Sequence, residues 1–229
     1  MATISLADNP TTQGTPEGDD VLGTDAPEIF FGGEGSDMIN GQGGSDTLIG
    51  DSGDDDINGA AGNDIILGLD GNDGDGSLFG FGLSGGRDND IVAGNRGNDQ
   101  IFGNEGDDTL FGGKDNDNLT GDDGNDILSG DLGSDTLRGG GLVNSGGMDT
   151  FVLRPDDPGN VDVIVDFQNG EDSIGLTRGL TFADLAFSEV SGDIQIAIAS
   201  SGQALAVITS SVTLAELGAE DFVQVEQNF

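Results

Sequence analysis

Cysteine, histidine, tryptophan and tyrosine are all missing from this chain of 229 residues. Without cysteine there is no disulfide framework and no thiolate metal site. Without histidine there is no His-dependent hydrolytic triad, no zinc protease of the HExxH kind and little scope for transition metals. Serine and aspartate without a histidine base are a weak basis for catalysis, so the chain reads as a non-enzyme. Basic side chains are scarce as well: 6 Lys and Arg stand against 44 Asp and Glu, a formal net charge of -38. A balance that acidic excludes nucleic acid as a partner and disfavours docking on anionic lipid. No run of roughly 18 apolar residues occurs, so no transmembrane segment is expected. Met1 to Pro10 shows neither a basic nor an apolar region of the secretory signal type.

What is present in excess is carboxylate and glycine. Two unit charges about 4 Å apart repel by about 1 kcal/mol in water and by more where water is excluded. Dozens of them would outweigh a folding free energy of only ~5–15 kcal/mol. The chain is therefore either too self-repelling to fold or folded around cations. The 43 glycines decide between these by their spacing, because periodic glycine marks a special backbone and aperiodic glycine a flexible linker.

The spacing is periodic. Asp37, Asp46, Asp55, Asp64 and Asp73 follow at intervals of nine, and the series resumes at Asp90, Asp99, Asp108, Asp117, Asp126 and Asp135. Two positions after most of them stands an aliphatic residue: Ile39, Leu48, Ile57, Ile66, Val92, Ile101, Leu110, Leu119, Leu128 and Leu137. The unit is G-G-x-G-x-D-x-U-x, with U apolar, and its clearest copy is Gly32 to Asn40 (GGEGSDMIN). Its six glycine-rich residues suit a turn, because Gly, Asn, Asp and Ser tolerate positive φ and bend locally. Its last three suit a short strand whose middle side chain points inward. Two units then complete one circuit, and stacked circuits make two parallel sheets closed over a thin core of U residues. Turns without bulky side chains let backbone carbonyls converge beside the aspartates. Calcium prefers about six to eight such oxygens at ~2.3–2.6 Å, so binding and folding become one event.

On this nonapeptide the chain resembles the repeats-in-toxin (RTX) calcium-binding proteins, over roughly residues 15–176. The resemblance implies an all-β, right-handed parallel β-roll carrying several Ca²⁺ ions, with a C-terminal antiparallel β cap. The metal-binding residues expected are Asp20, Asp37, Asp46, Asp55, Asp64, Asp73, Asp90, Asp99, Asp108, Asp117, Asp126, Asp135 and Asp149. A disordered acidic tail would not keep an aliphatic residue in phase with aspartate over so many copies. A phosphate cradle is opposed by the neighbouring aspartates. An EF-hand fails at Asp70 to Asp75 (DGNDGD), where Phe81 stands in place of the bidentate glutamate.

Three segments are expected: an N-terminal strand or cap over 1–14, the roll over 15–152 and a C-terminal β cap over 153–229. Glu28 takes an aspartate slot after a proline-containing spacer from Asp20, which suggests a weakened first circuit. Gly74 to Arg87 departs from the consensus and reads as a loop replacing one repeat, and Gly139 to Gly147 as a second loop. Asp88 and Asp115 stand where glycine is usual at the fourth position, which puts the turn geometry there in question. Phe151 to Arg154, Asp162 to Phe167 and Gly170 to Leu176 look like strands that close the roll, Asp193 to Ser200 and Gln203 to Thr209 like an antiparallel pair, and Thr213 to Gly218 like a helical turn. Seven or so circuits would make a roll of roughly 35 Å.

The C-terminal arrangement resembles the region that RTX proteins present to type I secretion machinery, which implies a bacterial protein, disordered in calcium-poor cytoplasm and folded outside. About 15 residues precede the first repeat, too few for a fused protease, lipase or pore. The expected function is a secreted structural protein of a cell-surface layer, sheath or extracellular matrix that self-assembles as a homo-oligomer or filament. The alternative is the calcium-binding and export module of a larger secreted enzyme or toxin. Ile49, Ile65, Leu67 and Phe102, with Leu78, Phe79 and Phe81 nearby in the loop, are expected to form an apolar patch that is either a contact surface for another molecule or covered by that loop within one molecule. Ala2 to Leu6 could add to a neighbour's sheet edge. Ice binding would need a regular threonine array, which outward residues Met38, Thr47, Asp56, Ile65, Gln100 and Thr109 do not supply.

Overall fold

The computed structural model describes residues 3–5, 11–74, 82–140 and 146–226. They form two long sheets whose strands alternate along the chain, one repeat to each. The ten-stranded sheet takes Ile29–Glu34, Thr47–Ser52, Ile65–Asp70, Ile91–Arg96, Thr109–Lys114 and Ile127–Leu132 in turn. The twelve-stranded sheet takes Asp20–Thr24, Met38–Gln42, Asp56–Ala61, Leu83–Arg87, Gln100–Glu105 and Asn118–Asp123. Every pairing among these strands is parallel. This is a parallel β-roll, as the repeat predicted.

Each strand buries its middle U residue and turns the flanking pair outward. Ile39, Ile57, Leu83, Ile101, Leu119 and Leu137 come from one sheet, and Phe30, Leu48, Ile66, Val92, Leu110 and Leu128 from the other. All of them are at most 2% exposed. One aliphatic layer per sheet therefore makes up the core. A core that thin gains little from each repeat beyond the ~1.5–3 kcal/mol of one buried apolar side chain, so the turns must contribute as much as the core.

The segment 74–87 differs from expectation. Leu83–Arg87 is a strand paired with Asp56–Ala61 and Gln100–Glu105, and Leu83 fills the core position. No repeat is replaced: extra residues are inserted into one, and residues 75–81, with Leu78, Phe79 and Phe81, lie outside the described residues. The parity of the later strands changes accordingly. Phe102 belongs to the twelve-stranded sheet, on the opposite face from Ile49, Ile65 and Leu67. The second expected loop, 139–147, includes 141–145, which also lie outside the described residues.

Parallel pairing continues past residue 152, where the cap was expected to begin. Thr150–Leu153 and Ser173–Leu176 extend the ten-stranded sheet, Thr136–Arg138 and Asp162–Ile164 the other. Asp193–Ile198 pairs antiparallel with Ala204–Ile208, as expected, and with a further strand, Leu185–Val190. Ala204–Ile208 pairs parallel onto the twelve-stranded sheet, whose last strand is Leu185–Val190, and Phe222–Gln224 pairs parallel onto the other as its last strand. The turn expected within Thr213 to Gly218 is present, closed by the N–H of Glu216 donating to the carbonyl of Thr213 (3.0 Å), and a short 3-10 segment, Ala219–Asp221, follows it. Thr3–Ser5 pairs with Asp20–Leu22 of its own chain, so that strand is already used within the molecule. Among the described residues no helix is long and apolar enough to cross a membrane.

Candidate metal centre

The repeat aspartate is placed by a turn with two left-handed residues. In the copy ending at Asp37 these are Gly33 (φ 108°) and Gly35 (φ 107°), four and two positions before it. The fourth-position substitutes Asp88 and Asp115 adopt the same conformation, at φ 72° and 79°. Aspartate tolerates this region better than most side chains, so both turns keep the shape of their neighbours.

These turns stack the aspartates into two ladders, one along each edge of the roll. In each rung the main-chain N–H of one aspartate donates to Oδ1 of its counterpart one circuit on, at 2.7–3.1 Å. One edge runs Asp19, Asp37, Asp55, Asp73, Asp99, Asp117, Asp135, Asp162. The other runs Glu28, Asp46, Asp64, Asp90, Asp108, Asp126, Asp149, Asp172. Beside each runs a polar ladder of opposite sense, built from the residue before the aspartate. The N–H of Asn72 donates to Asp54 Oδ1 (2.9 Å), that of Asn98 to Asn72 Oδ1 (2.8 Å) and that of Asn125 to Asp107 Oδ1 (2.8 Å). The sequence marked these side chains only as turn formers; their own spacing of nine is the signal that could have revealed the second ladder.

The second carboxylate oxygen is what remains unsatisfied. Oδ2 is buried and without any hydrogen-bond partner at Asp37, Asp46, Asp55, Asp64, Asp73, Asp90, Asp99, Asp108, Asp117, Asp126, Asp135 and Asp149. A buried carboxylate oxygen without a donor costs several kcal/mol unless a proton or a cation meets it. In the metal-free chain burial pushes these groups up, against the lowering effect of the rung N–H and helped by the neighbouring carboxylates. Asp73, Asp90 and Asp117 rise to about 8, and Asp55 and Asp126 to about 7. No basic side chain hydrogen-bonds to any of the twelve; the described ion pairs lie elsewhere, as at Arg154–Asp131 (2.7 Å) and Arg96–Asp70 (3.1 Å).

The surroundings suit a hard divalent cation. Among the described residues no three acidic side chains converge on one point, so each carboxylate needs backbone oxygens to complete a shell. These are close by. A Cβ on Gly32 would collide with both Asp37 Oδ2 and the carbonyl of Gly50, and one on Gly68 with Asp73 Oδ2. Glycine at the first position therefore keeps open the space where carboxylate and carbonyl approach. All of the donors are oxygen, as calcium prefers. Soft metals lack the thiolate and imidazole ligands they favour.

The same repeat is recognised by comparison. The description of the RTX calcium-binding nonapeptide repeat (4 copies) matches residues 22–57, 41–75, 84–119 and 112–141. The repeat region belongs to the RTX calcium-binding family. No curated protein matches the chain in sequence. Among solved structures, the extracellular lipase LipA from Serratia marcescens is similar at 17% identity, over 96% of this chain and 42% of that one, with a TM-score of 0.35. The chain spans less than half of that lipase's length.

Of the thirteen RTX aspartates expected, the structure brings twelve together in the two rows. Asp20 is the exception: it is exposed at the first position of its strand, and buried Asp19 stands in the ladder instead. Counting from Asp19, Glu28 falls nine residues later and Asp37 nine after that, so the first circuit keeps the period. The adjacent pair Asp19-Asp20 hid the register, and the strand pattern of buried Val21 resolves it. Asp162 and Asp172 also join the ladders; irregular spacing after Asp149 hid them in the sequence. In a calcium-loaded protein the twelve open Oδ2 atoms and the turn carbonyls would hold the ions, which would supply the positive charge that the buried carboxylates lack.

Proposed function

We propose that this chain is a calcium-dependent extracellular structural protein, folded when calcium fills its turns and associating with further copies of itself through one face of the roll. The observation that carries the reading is the outward face of the ten-stranded sheet. Two rows run across it: Ile29, Thr47, Ile65, Ile91, Thr109, Ile127 and Thr150, and Phe31, Ile49, Leu67, Ala93 and Phe111, the second row ending at Ser129 and Val152, which are buried. Neither row contains a charged residue, in a chain of net charge -38. Ile29, Ile65, Ile91 and Ile127 are 40–45% exposed. The outward face of the other sheet carries Asp56, Asn58, Asn118 and Arg138 instead.

A second copy suits this face for two reasons. It is a strip on which two strongly acidic molecules can approach without opposing carboxylates, and its rungs repeat at the same ~4.8 Å on every copy, so apolar rows can match in register. Threonine and isoleucine are mixed along the first row, so it is not the unbroken threonine array that ice binding would need.

Export through a type I channel is part of the proposal. A chain that folds only with calcium stays unfolded where calcium is scarce and sets outside the cell. The final strands, Ala204–Ile208 and Phe222–Gln224, pair onto the two sheets, so an export signal there would share residues with the cap.

Sedimentation across a range of protein concentrations, with calcium and with chelator, tests the association. Calcium-loaded protein is expected to form multimers, and the double variant Ile65→Lys, Ile91→Lys to remain monomeric with its β structure intact. Monomers alone at every concentration would remove self-association.

A further inference from the structure

The open Oδ2 atoms stop short of the ladder ends, and the backbone shows why. In every described turn with an open Oδ2, from Asp37 to Asp135, the residue four positions before the aspartate is left-handed, even where it is not glycine: Gln42 (φ 72°), Ala60 (φ 79°) and Leu69 (φ 85°) are examples. The N–H of that residue can then be used along the sheet, as when Asp122 donates to the carbonyl of Gly139 (2.9 Å). At the first two turns the corresponding residues are Thr15 and Thr24, and neither is left-handed. Their N–H groups turn inward instead: Thr15 donates to Asp19 Oδ2 (2.7 Å) and Thr24 to Glu28 Oε2 (3.1 Å). The C-terminal end shows the same arrangement, with Gln168 N–H donating to Asp172 Oδ2 (2.8 Å).

Sequence accounts for the N-terminal change. Threonine is β-branched, and positive φ is a strong outlier for such residues. Thr15 also precedes Pro16, which further restricts its backbone. The hydroxyls reinforce the closure: Thr15 Oγ1 donates to Asp19 Oδ1 (3.1 Å), and Thr24 Oγ1 bonds Glu28 Oε1. At these turns the chain's own amide supplies the donor that the interior turns leave unfilled.

We propose that the turns 15–19 and 24–28 are metal-free end caps, and that threonine four residues before the acid is the element that excludes calcium from them. The calcium rows then begin at Asp37 and Asp46. Metal-free ends give a repeat array a terminus that does not invite another coil to stack on it. This inference rests on calcium binding by the interior turns and names which turns do not take part.

The test is the number of calcium ions bound by the full-length chain, by equilibrium dialysis at saturating calcium. The double variant Thr24→Gly, Glu28→Asp, which restores an interior-type turn, is expected to bind one ion more than the unchanged chain. An unchanged count in folded double variant overturns the proposal. Should that variant fail to give the circular dichroism of the parent, Ala60→Thr decides: loss of at least one ion supports the proposal, and an unchanged count overturns it. An unchanged chain that binds no calcium at all would instead overturn the calcium reading of the interior turns.

Discussion

The main-chain N–H of Asp73 donates to Oδ1 of Asp99 at 2.8 Å, across 26 residues where its neighbours in the ladder are 18 apart. Asp64 and Asp90 are related in the same way on the other edge, at 2.7 Å. The extra residues fall in sequence between Asp73 and Leu83, and the rungs on both edges continue unbroken across them. What the fold conserves is the stacking of turns, not the count of residues between them.

Changing Asp73 separates the two roles of its carboxylate. Asp73→Asn keeps an oxygen for the Asp55 rung but loses the charge beside the open position. It is expected to raise the calcium concentration at the folding midpoint, with little change in melting temperature at saturating calcium. Asp73→Ala also leaves a buried N–H of Asp55 without its acceptor, which costs about 1–3 kcal/mol. It should lower the melting temperature even in excess calcium. Equal behaviour of the two variants in both measurements would contradict the rung.

Asp19 and Asp20 are adjacent and chemically identical, yet they should respond differently. Asp20 is exposed, and Asp20→Ala should lie within about 0.5 kcal/mol of the parent, as for surface substitutions generally. Asp19 is fully buried and accepts from Thr15 N–H, so Asp19→Ala should destabilise by about 1–3 kcal/mol. Thermal melts in calcium of both variants check the assignment; a larger loss at Asp20 would reverse the register.

The pH response should change sign with calcium. Burial raises the folded-state values of Asp73, Asp90 and Asp117 from 3.8 to about 8. Between about pH 4 and pH 8 the metal-free fold therefore holds more protons than the unfolded chain, and its stability falls as pH rises through that window. Calcium competes with those protons, so its affinity should rise over the same window. In chelator, β-sheet circular dichroism should grow on acidification from pH 8 towards pH 4. In calcium titrations the midpoint should move to higher calcium over the same change. Growth of the chelated signal on raising the pH would contradict the account.

Much of the fold was legible in the sequence because a single period encodes turn, strand and core together. Aspartate at nine-residue intervals, with an aliphatic two positions on, fixes Ile57 inside and Asp56 and Asn58 outside with no further information. Three features were hidden for physical reasons. Leu83–Arg87 (LSGGR) lacks its aspartate at the usual distance, because the insertion separates it from Asp73, so its strand looked like loop. Phe102 lies on the opposite face from the one its spacing predicts, because each repeat switches sheet and the inserted residues shift the alternation. The capped turns at Thr15 and Thr24 depend on a backbone conformation, and a φ value is not written in a spacing. The candidate site was visible as a list of aspartates; which of their oxygens remain open is visible only once the rungs are drawn.

The most direct test of the account is a calcium titration of chelator-stripped protein at neutral pH, followed by far-ultraviolet circular dichroism. Twelve buried aspartate Oδ2 atoms without partners require that the stripped chain lack the parallel roll and gain it cooperatively as calcium is added. Persistence of the full β-sheet spectrum and the same melting temperature in the stripped sample would contradict it.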